Sequence, residues 1–275
     1  MSLVRSLWKL LLALFGVRSA PGPNEWYGWR PDRPDHRDHS FQVPEHLTVE
    51  KLPAKVDLSP LCPAVYDQGQ LGSCTGNAIA AAYQFDLKKQ GKPDFMPSRL
   101  FIYYNERVVE GTISEDAGAE IRDGIKVLAA QGVCPEKKWP YVVSKFARKP
   151  TKVAFTEAMK HQALQYQRID NTKIADIKAC LASGYPVVFG FTVYDAFEGD
   201  EVARTGTLNL PAKSEKVQGG HAVLLVGYDD ATQRFLVRNS WAADWGQAGY
   251  FTMPYAYVTN ANLADDFWTI RVVEG

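Results

Sequence analysis

Cysteine is scarce in this chain, and its four cysteines form no recognisable framework. They contain no Cys-x-x-Cys pair in 275 residues, which excludes a disulfide-rich scaffold and a zinc ribbon. The four are Cys62, Cys74, Cys134 and Cys180. Three remain if one of them is a nucleophile, so at least one stays unpaired within the chain.

A surplus of charge is also absent, since 31 Lys and Arg residues balance 31 Asp and Glu residues. Long runs of like charge are missing as well. Nucleic acid and acidic surfaces are therefore not indicated as partners. Because 46% of the 275 residues are hydrophobic, the chain can bury the core of one large domain or of two lobes.

The apolar run near the N-terminus is too short to span a membrane. Residues 10–15 fall far below the roughly 20 residues that a spanning helix needs. Residues 1–20 fit a secretory signal, although Arg18 disfavours cleavage after Ala20. They equally fit an amphipathic anchor, with residues 2–17 lying on a membrane. Both interpretations stay open, and both favour export or membrane association over a cytoplasmic location.

Residues 21–50 are rich in Pro, Asp, Arg and His. This composition predicts an extended segment over a folded body, and a short pro-segment is one interpretation. Two tryptophans and a tyrosine between residues 26 and 29 provide side chains for docking. His36 and His39 lack the ligand spacing of a metal site, so we interpret them as solvated loop residues.

The stretch Tyr66–Asn77 is a glycine-bearing turn that runs into an alanine-rich helix. Cys74 falls in the first turn of that helix, where free N–H groups and the helix dipole favour a thiolate. Gln68 lies upstream of the turn and is placed to donate a hydrogen bond beside the sulfur. The competing interpretation of Cys74 is a small buried residue.

The pattern changes from helical to strand-rich along the chain, which predicts an α+β protein of two lobes. The helical lobe is expected over about residues 60–160 and the β lobe over about 165–260. The predicted helices include 74–90, a helix from Pro97 and 117–131. The predicted strands are 185–193, 221–228, 234–238 and 249–253.

His221 heads one predicted strand, and Asn239 ends the next one. A hairpin joins these strands, so both side chains can face one point. An imidazole there can take the proton of Cys74, while the Asn oxygen fixes the tautomer of the ring. Such pairing can lower a cysteine pKa to roughly 3–4. Trp241 can shield the His–Asn hydrogen bond from water.

In this order along the chain, these residues resemble the papain family of cysteine peptidases, especially its bacterial members. The resemblance covers about residues 52–255. It is carried by Gln68, Ser73-Cys74, Gly132–Tyr141, Gly220–Val223, Asn239–Trp241 and Trp245–Tyr250.

The resemblance implies a helical lobe and a barrel-like β lobe with the active cleft between them, within a peptidase domain at 51–275. Cys74 would be the nucleophile and His221 the general base and then acid. Asn239 would orient the histidine. Gln68 would share the oxyanion hole with the Cys74 backbone N–H.

Gly118 and Ala119 stand where the family has a glycine pair that hydrogen-bonds the substrate backbone. Gly220 and Trp241 are further candidate substrate-binding residues. Because Ala119 replaces one glycine, we expect a narrower pocket beside it. The resemblance implies that this pocket takes an apolar side chain just before the residue at the cut.

Two cysteines of the family are replaced here by Leu71 and Asp116, so its structural disulfide is missing. The segment before the domain is too short for the long inhibitory propeptide of the eukaryotic members. We hypothesise that Tyr27–Phe41 instead lies in or near the cleft as a short intramolecular latch.

The predicted function is a bacterial cysteine-type peptidase that forms a thioester intermediate, most simply an endopeptidase. Peptides or proteins are its expected substrates, and no metal or cofactor is required. Two alternatives stay open. One is a non-catalytic peptide-binding module on the same fold, and the other is an amidase or exopeptidase with the same catalytic residues.

Overall fold

The computed structural model describes residues 27–44, 47 and 52–274 of the chain. Residues 1–20, where the sequence predicts a signal or an anchor, lie outside the described residues. Among the helices that are described, none has the length and apolar character needed to cross a bilayer. Residues 27–44 contain no helix, and their β-type pairing with the body is limited to isolated bridges at Trp29 and Ser40.

Helices dominate the first half of the described chain. The first one is buried from Cys74 to Leu87, so it forms the centre of its lobe. Ser98 caps the second helix by accepting from the Phe101 N–H, and Gly111 ends that helix in a left-handed conformation. The helices are α1 (Cys74–Lys89), α2 (Arg99–Glu110), α3 (Ile121–Gln131), α4 (Lys152–Ala158), α5 (Ile174–Ala182), α6 (Asp200–Thr205) and α7 (Tyr255–Val258).

In the described part of the chain, seven strands form one antiparallel sheet in the order β2-β7-β3-β4-β5-β6, with β1 also paired to β4. The long strand β4 carries His221, and β5 leads to Asn239. The strands are β1 (Lys55–Asp57), β2 (Ala163–Ile169), β3 (Val187–Tyr194), β4 (Val217–Asp229), β5 (Arg234–Arg238), β6 (Tyr250–Pro254) and β7 (Ala264–Val273).

The sheet separates two hydrophobic cores. Val188 on β3 belongs to the core that contains α1, α2 and α3. Its neighbours Val187 and Phe189 belong to the second core, within the β lobe. This alternation follows from the two-residue period of a strand, which sends successive side chains to opposite faces. The cleft that carries the site lies where the first turn of α1 meets β4.

Two predicted boundaries differ from the structure. The helix expected from residue 117 begins at Ile121, because Gly118 has a φ of 70° and Ala119 pairs with Trp29 instead. The β lobe extends past residue 260 through β7, which ends at Val273. The strand was missed because Asp265 and Asp266 at its start are poor strand formers.

We call residues 27–44 the N-terminal strap. Its far end is held by ion pairs, since Asp32 and Asp38 both contact the guanidinium groups of Arg122 and Arg168. Phe41 is 6% exposed and packs into the core of the β lobe. The strap is therefore bound to both lobes rather than loosely attached to the surface.

Candidate active site

Cys74 begins α1 and is fully buried. The turn before it is shaped by Gly69, which has a φ of 57° and whose N–H is bound by the Asp67 carboxylate at 2.9 Å. Asn77 donates from its side chain to the Ser73 carbonyl at 2.9 Å. These contacts fix the first turn, so the sulfur has a defined position at the positive end of the helix.

Asp116 supports this turn where the sequence analysis found a missing disulfide. Its carboxylate accepts the Gly72 N–H at 2.9 and 3.1 Å, and the Tyr103 hydroxyl donates to it as well. The Tyr103 oxygen in turn accepts the Gly118 N–H at 3.1 Å. A hydrogen-bonded carboxylate thus connects the turn before Cys74 to the loop that carries Gly118.

The His221 ring is oriented by Asn239. The Nε2 atom of His221 lies 2.8 Å from Oδ1 of Asn239, and the same oxygen accepts the Ser240 N–H at 2.8 Å. Because Oδ1 only accepts, Nε2 carries the proton and Nδ1 is the basic nitrogen. Within the described residues, Nδ1 makes no hydrogen bond. The backbone N–H of Ala222, the next residue, points to the Cys74 sulfur.

Trp241 covers the histidine from one side. Its ring stacks on the His221 ring, with centroids 4.9 Å apart and planes at 28°. Phe197 packs against Trp241 from behind, at 5.1 Å between ring centroids. Since Trp241 is 5% exposed, this aromatic cover keeps water away from the His221–Asn239 hydrogen bond and strengthens it.

Gln68 is fixed at both ends of its side-chain amide. Its Nε2 donates to the Leu71 carbonyl at 3.0 Å, and its Oε1 accepts from the Ser240 hydroxyl at 2.6 Å. The backbone N–H of Gln68 also donates to the Ser240 carbonyl at 2.9 Å. The amide is therefore held between the Cys74 turn and the segment that follows Asn239.

The N-terminal strap passes directly through this cleft. The Gly28 N–H points to the Cys74 sulfur, and the Gly28 carbonyl accepts the Ala119 N–H at 2.6 Å. Trp29 donates its N–H to the Gly220 carbonyl at 2.9 Å. The Tyr27 ring lies 5.9 Å from His221 and 6.2 Å from Trp241. The strap thus contacts the surroundings of the sulfur on both sides.

The close fit of the strap depends on glycine at position 28. A Cβ atom added to Gly28 would lie 1.7 Å from the Gly72 carbonyl oxygen, and one added to Gly118 would lie 2.1 Å from the Gly28 oxygen. In both cases the added Cβ would meet a backbone oxygen, which cannot move aside by changing rotamer. Only glycine allows the two backbones to approach this closely.

The arrangement of Cys74, His221 and Asn239 lies within a region that matches a known protein family. The model of the papain family of cysteine proteases matches residues 52–269. The chain belongs to the papain family. An uncharacterized peptidase C1-like protein of Acanthamoeba polyphaga mimivirus is 43% identical to it over 270 residues, which cover 90% of this chain and 87% of the viral protein.

Solved structures agree with this assignment. Xylellain, a cysteine protease from Xylella fastidiosa, is 45% identical and has a TM-score of 0.87, covering 92% of this chain and 99% of its own. Procathepsin B from Trypanosoma congolense shares the fold at a TM-score of 0.72 and 16% identity, over 96% of each chain. The predicted α+β two-lobe fold and the predicted peptidase class are confirmed. The bacterial origin stays a prediction.

The covered cleft of this papain-family protease changes the ionisation of the pair. Burial raises the pKa of the Cys74 thiol to about 11, although the N–H groups of Ala222 and Gly28 act in the opposite direction. Burial also lowers the pKa of His221 to about 4, against the opposing effect of Asn239. In the covered state, burial therefore opposes the thiolate that the sequence predicts for Cys74.

All four candidate substrate-binding residues lie along the strap. Ala119 and Gly220 hydrogen-bond its backbone, Gly118 lies under it, and Trp241 faces Tyr27. The pocket beside Ala119 is wider than predicted, since it holds the whole Trp29 side chain. Sequence reasoning missed that width because it considered Ala119 alone and not the opposite wall.

The raised thiol pKa predicts how Cys74 responds to pH in the full-length protein. A thiol titrates as an acid, so it stays protonated until the pH approaches about 11. Because the covered thiol is both buried and protonated, iodoacetamide should alkylate Cys74 of the folded chain at least about tenfold more slowly than Cys74 of the unfolded chain from pH 6 to 9. Peptide mapping by mass spectrometry measures this rate, and the urea-unfolded chain, with an ordinary thiol, is the control. Equal alkylation rates in the folded and the unfolded chain would contradict the prediction.

Proposed function

We propose that this papain-family protease is an endopeptidase that is kept latent by its own N-terminal strap. The observation that carries the proposal is the course of the strap, which crosses the nucleophile from Tyr27 to Arg30 and contacts the cleft on both sides of Cys74. A cleft that admits a continuous chain across its nucleophile suits cleavage within a polypeptide.

In the proposed reaction, Nδ1 of His221 takes the thiol proton and the Cys74 sulfur attacks the scissile carbonyl carbon. The negative charge on the carbonyl oxygen is stabilised by the Cys74 backbone N–H and the Gln68 amide. The imidazolium then protonates the leaving amine, and a thioester remains. Water, deprotonated by His221, hydrolyses the thioester and releases the acid.

The geometry of the strap explains how it can occupy the cleft without being cleaved. At the sulfur it presents the Gly28 N–H, which is a hydrogen-bond donor and offers no carbon for attack. The Gly28 carbonyl is turned away and bound by the Ala119 N–H. The bridge between Trp29 and Ala119 is parallel. The strap therefore blocks the cleft as a non-productive occupant.

The complete set of Cys74, His221, Asn239 and Gln68 favours this proposal over a non-catalytic peptide-binding module. A module that only binds peptides has no need for the 2.8 Å contact between His221 and Asn239, nor for an aromatic cover above it. An amidase or exopeptidase would use the same residues but would close one end of the cleft. The contacts of the described strap on both sides of Cys74 favour an endopeptidase.

The nucleophile can be tested with two cysteine variants in a full-length Gly28→Ala background, which opens the cleft. Cys74→Ala should lower the hydrolysis of an internally quenched peptide by roughly three orders of magnitude or more, because the acyl-accepting sulfur is lost. Cys62→Ala should remain within about twofold, since it lies outside the cleft. Equal activity of the two variants would refute Cys74 as the nucleophile. Cleavage products identified by mass spectrometry distinguish internal from terminal cleavage.

The strap itself is tested by Gly28→Ala in the full-length chain. The added Cβ cannot fit against the Gly72 carbonyl, so the strap should leave the sulfur and kcat/KM for peptide hydrolysis should rise by tenfold or more. Arg33→Ala, at an exposed strap residue, is the matched control and should change little. Unchanged kinetics in Gly28→Ala would mean that the strap does not inhibit.

We also propose that residues 2–17 attach the protein to a membrane or direct its export. The proposal rests on the apolar stripe in the sequence and the basic residues beside it. Fractionation of cells that express the full-length chain, or a chain without residues 1–20, tests it. The full-length chain should sediment with membranes or be secreted, and the shortened chain should do neither. The same distribution for both would end this proposal.

A further inference from the structure

The side chain of Trp29 occupies a pocket beside the catalytic cleft, and that pocket has an unusual composition. Trp29 is 7% exposed and sits where the strap pairs with Ala119. Its indole Nε1 donates to Oδ2 of Asp266 at 2.9 Å. The family resemblance implies an apolar side chain in this pocket, yet a buried carboxylate lies at its end.

The walls of the pocket are built from residues without side chains. A Cβ atom on Gly190 of β3 would lie 1.9 Å from the Trp29 ring, and one on Gly220 of β4 would lie 2.8 Å from it. Two glycines on neighbouring strands make room for an indole. A pocket this wide, with a fixed acceptor, discriminates by size and by hydrogen bonding together.

Asp266 is held rigidly in this position. Its backbone has a φ of 59°, which Asp tolerates better than most residues. Its Oδ1 contacts Arg168 at 3.1 Å, and its Oδ2 also accepts the Asp32 N–H at 3.0 Å. Burial and the neighbouring Asp32 raise the pKa of Asp266 to about 8. When residues 27–30 open, Asp32 stays anchored by Arg122 and Arg168, so the carboxylate keeps its charged neighbours.

We propose that Asp266 makes this pocket selective for a large side chain with an N–H group at its far end, with tryptophan as the preferred residue. The inference rests on the proposed peptidase function, because a substrate that displaces the strap would pair with Ala119 and place one side chain where Trp29 lies. By the family resemblance, that residue is the second before the scissile bond. The strap closes the cleft by presenting the side chain that the pocket prefers.

A double-mutant cycle in the full-length chain tests the recognition without requiring any hydrolysis. Trp29→Phe removes the N–H donor, and Asp266→Gly removes the acceptor while tolerating the left-handed backbone. Each single variant should make the alkylation of Cys74 by iodoacetamide about tenfold faster, the effect of losing a buried hydrogen bond. In the Asp266→Gly background, Trp29→Phe should add little further increase.

The cycle separates hydrogen bonding from ring size, because only hydrogen bonding depends on both residues. Asp265→Asn is the control, since Asp265 contacts Arg168 but not Trp29, and it should leave the rate nearly unchanged. Effects of the two variants that simply multiply would overturn the role of Asp266 in recognising Trp29.

Substrate selection is measured with the full-length Gly28→Ala chain and two fluorogenic peptides. They carry either tryptophan or naphthylalanine, which has a similar size but no N–H, as the second residue before the cut. The tryptophan peptide should have a kcat/KM about tenfold or more higher, and Asp266→Gly should remove that difference. Equal values for both peptides in the Gly28→Ala chain would overturn the selectivity and leave the peptidase function intact.

A second readout distinguishes failure of the selectivity from failure of the peptidase function. Each peptide is also tested for its ability to protect Cys74 from iodoacetamide in the Gly28→Ala chain. If neither peptide is cleaved, the proposed peptidase function fails. The selectivity of the pocket is still supported if the tryptophan peptide protects Cys74 at an about tenfold lower concentration than the naphthylalanine peptide. Equal protecting concentrations for the two peptides would refute the selectivity of the pocket.

Discussion

The contact between the strap backbone at Gly28 and the turn at Gly72 determines the state of the active site. It brings the strap close enough to exclude solvent from Cys74 and His221, both of which are fully buried. Desolvation then disfavours the thiolate and the imidazolium at the same time. The covered site is therefore electrically neutral, and its reactivity depends on whether solvent or a peptide replaces the strap.

Asp116 shows how the site keeps its geometry without a disulfide. All four cysteines are free, and the carboxylate instead binds the Gly72 N–H and the Tyr103 hydroxyl. These bonds join the turn before Cys74 to the loop that holds Ala119 against the strap. Because no sulfur–sulfur bond is involved, this connection is insensitive to thiol reductants. The hydrogen bonds place the nucleophile and the peptide-pairing residue in one rigid unit.

Local patterns in the sequence were sufficient for the parts of the fold that depend on local structure. The alanine-rich run after Cys74 is a helix, and residues 234–238 are a strand, because burial and period agree at those places. Ala119 was placed in a helix, since its local propensity carries no information about the strap that pairs with it. The contact between Trp29 and Asp266 spans 237 positions, so no local pattern could have indicated it.

The strap is held more strongly at its far end than at the nucleophile. Beyond Trp29, ion pairs of Asp32 and Asp38 and the burial of Phe41 anchor it to the body. Residues 27–30 have a few backbone hydrogen bonds, the ring contacts of Tyr27 and the buried Trp29 indole, which donates to Asp266. The segment 27–30 can open locally by breaking these contacts, while the part anchored by the ion pairs stays bound. A tether of this kind keeps the inhibitory segment at a high effective concentration, so opening is reversible as long as the chain is intact. Latency in this protein is thus an equilibrium between the tethered strap and a peptide that competes for the same cleft.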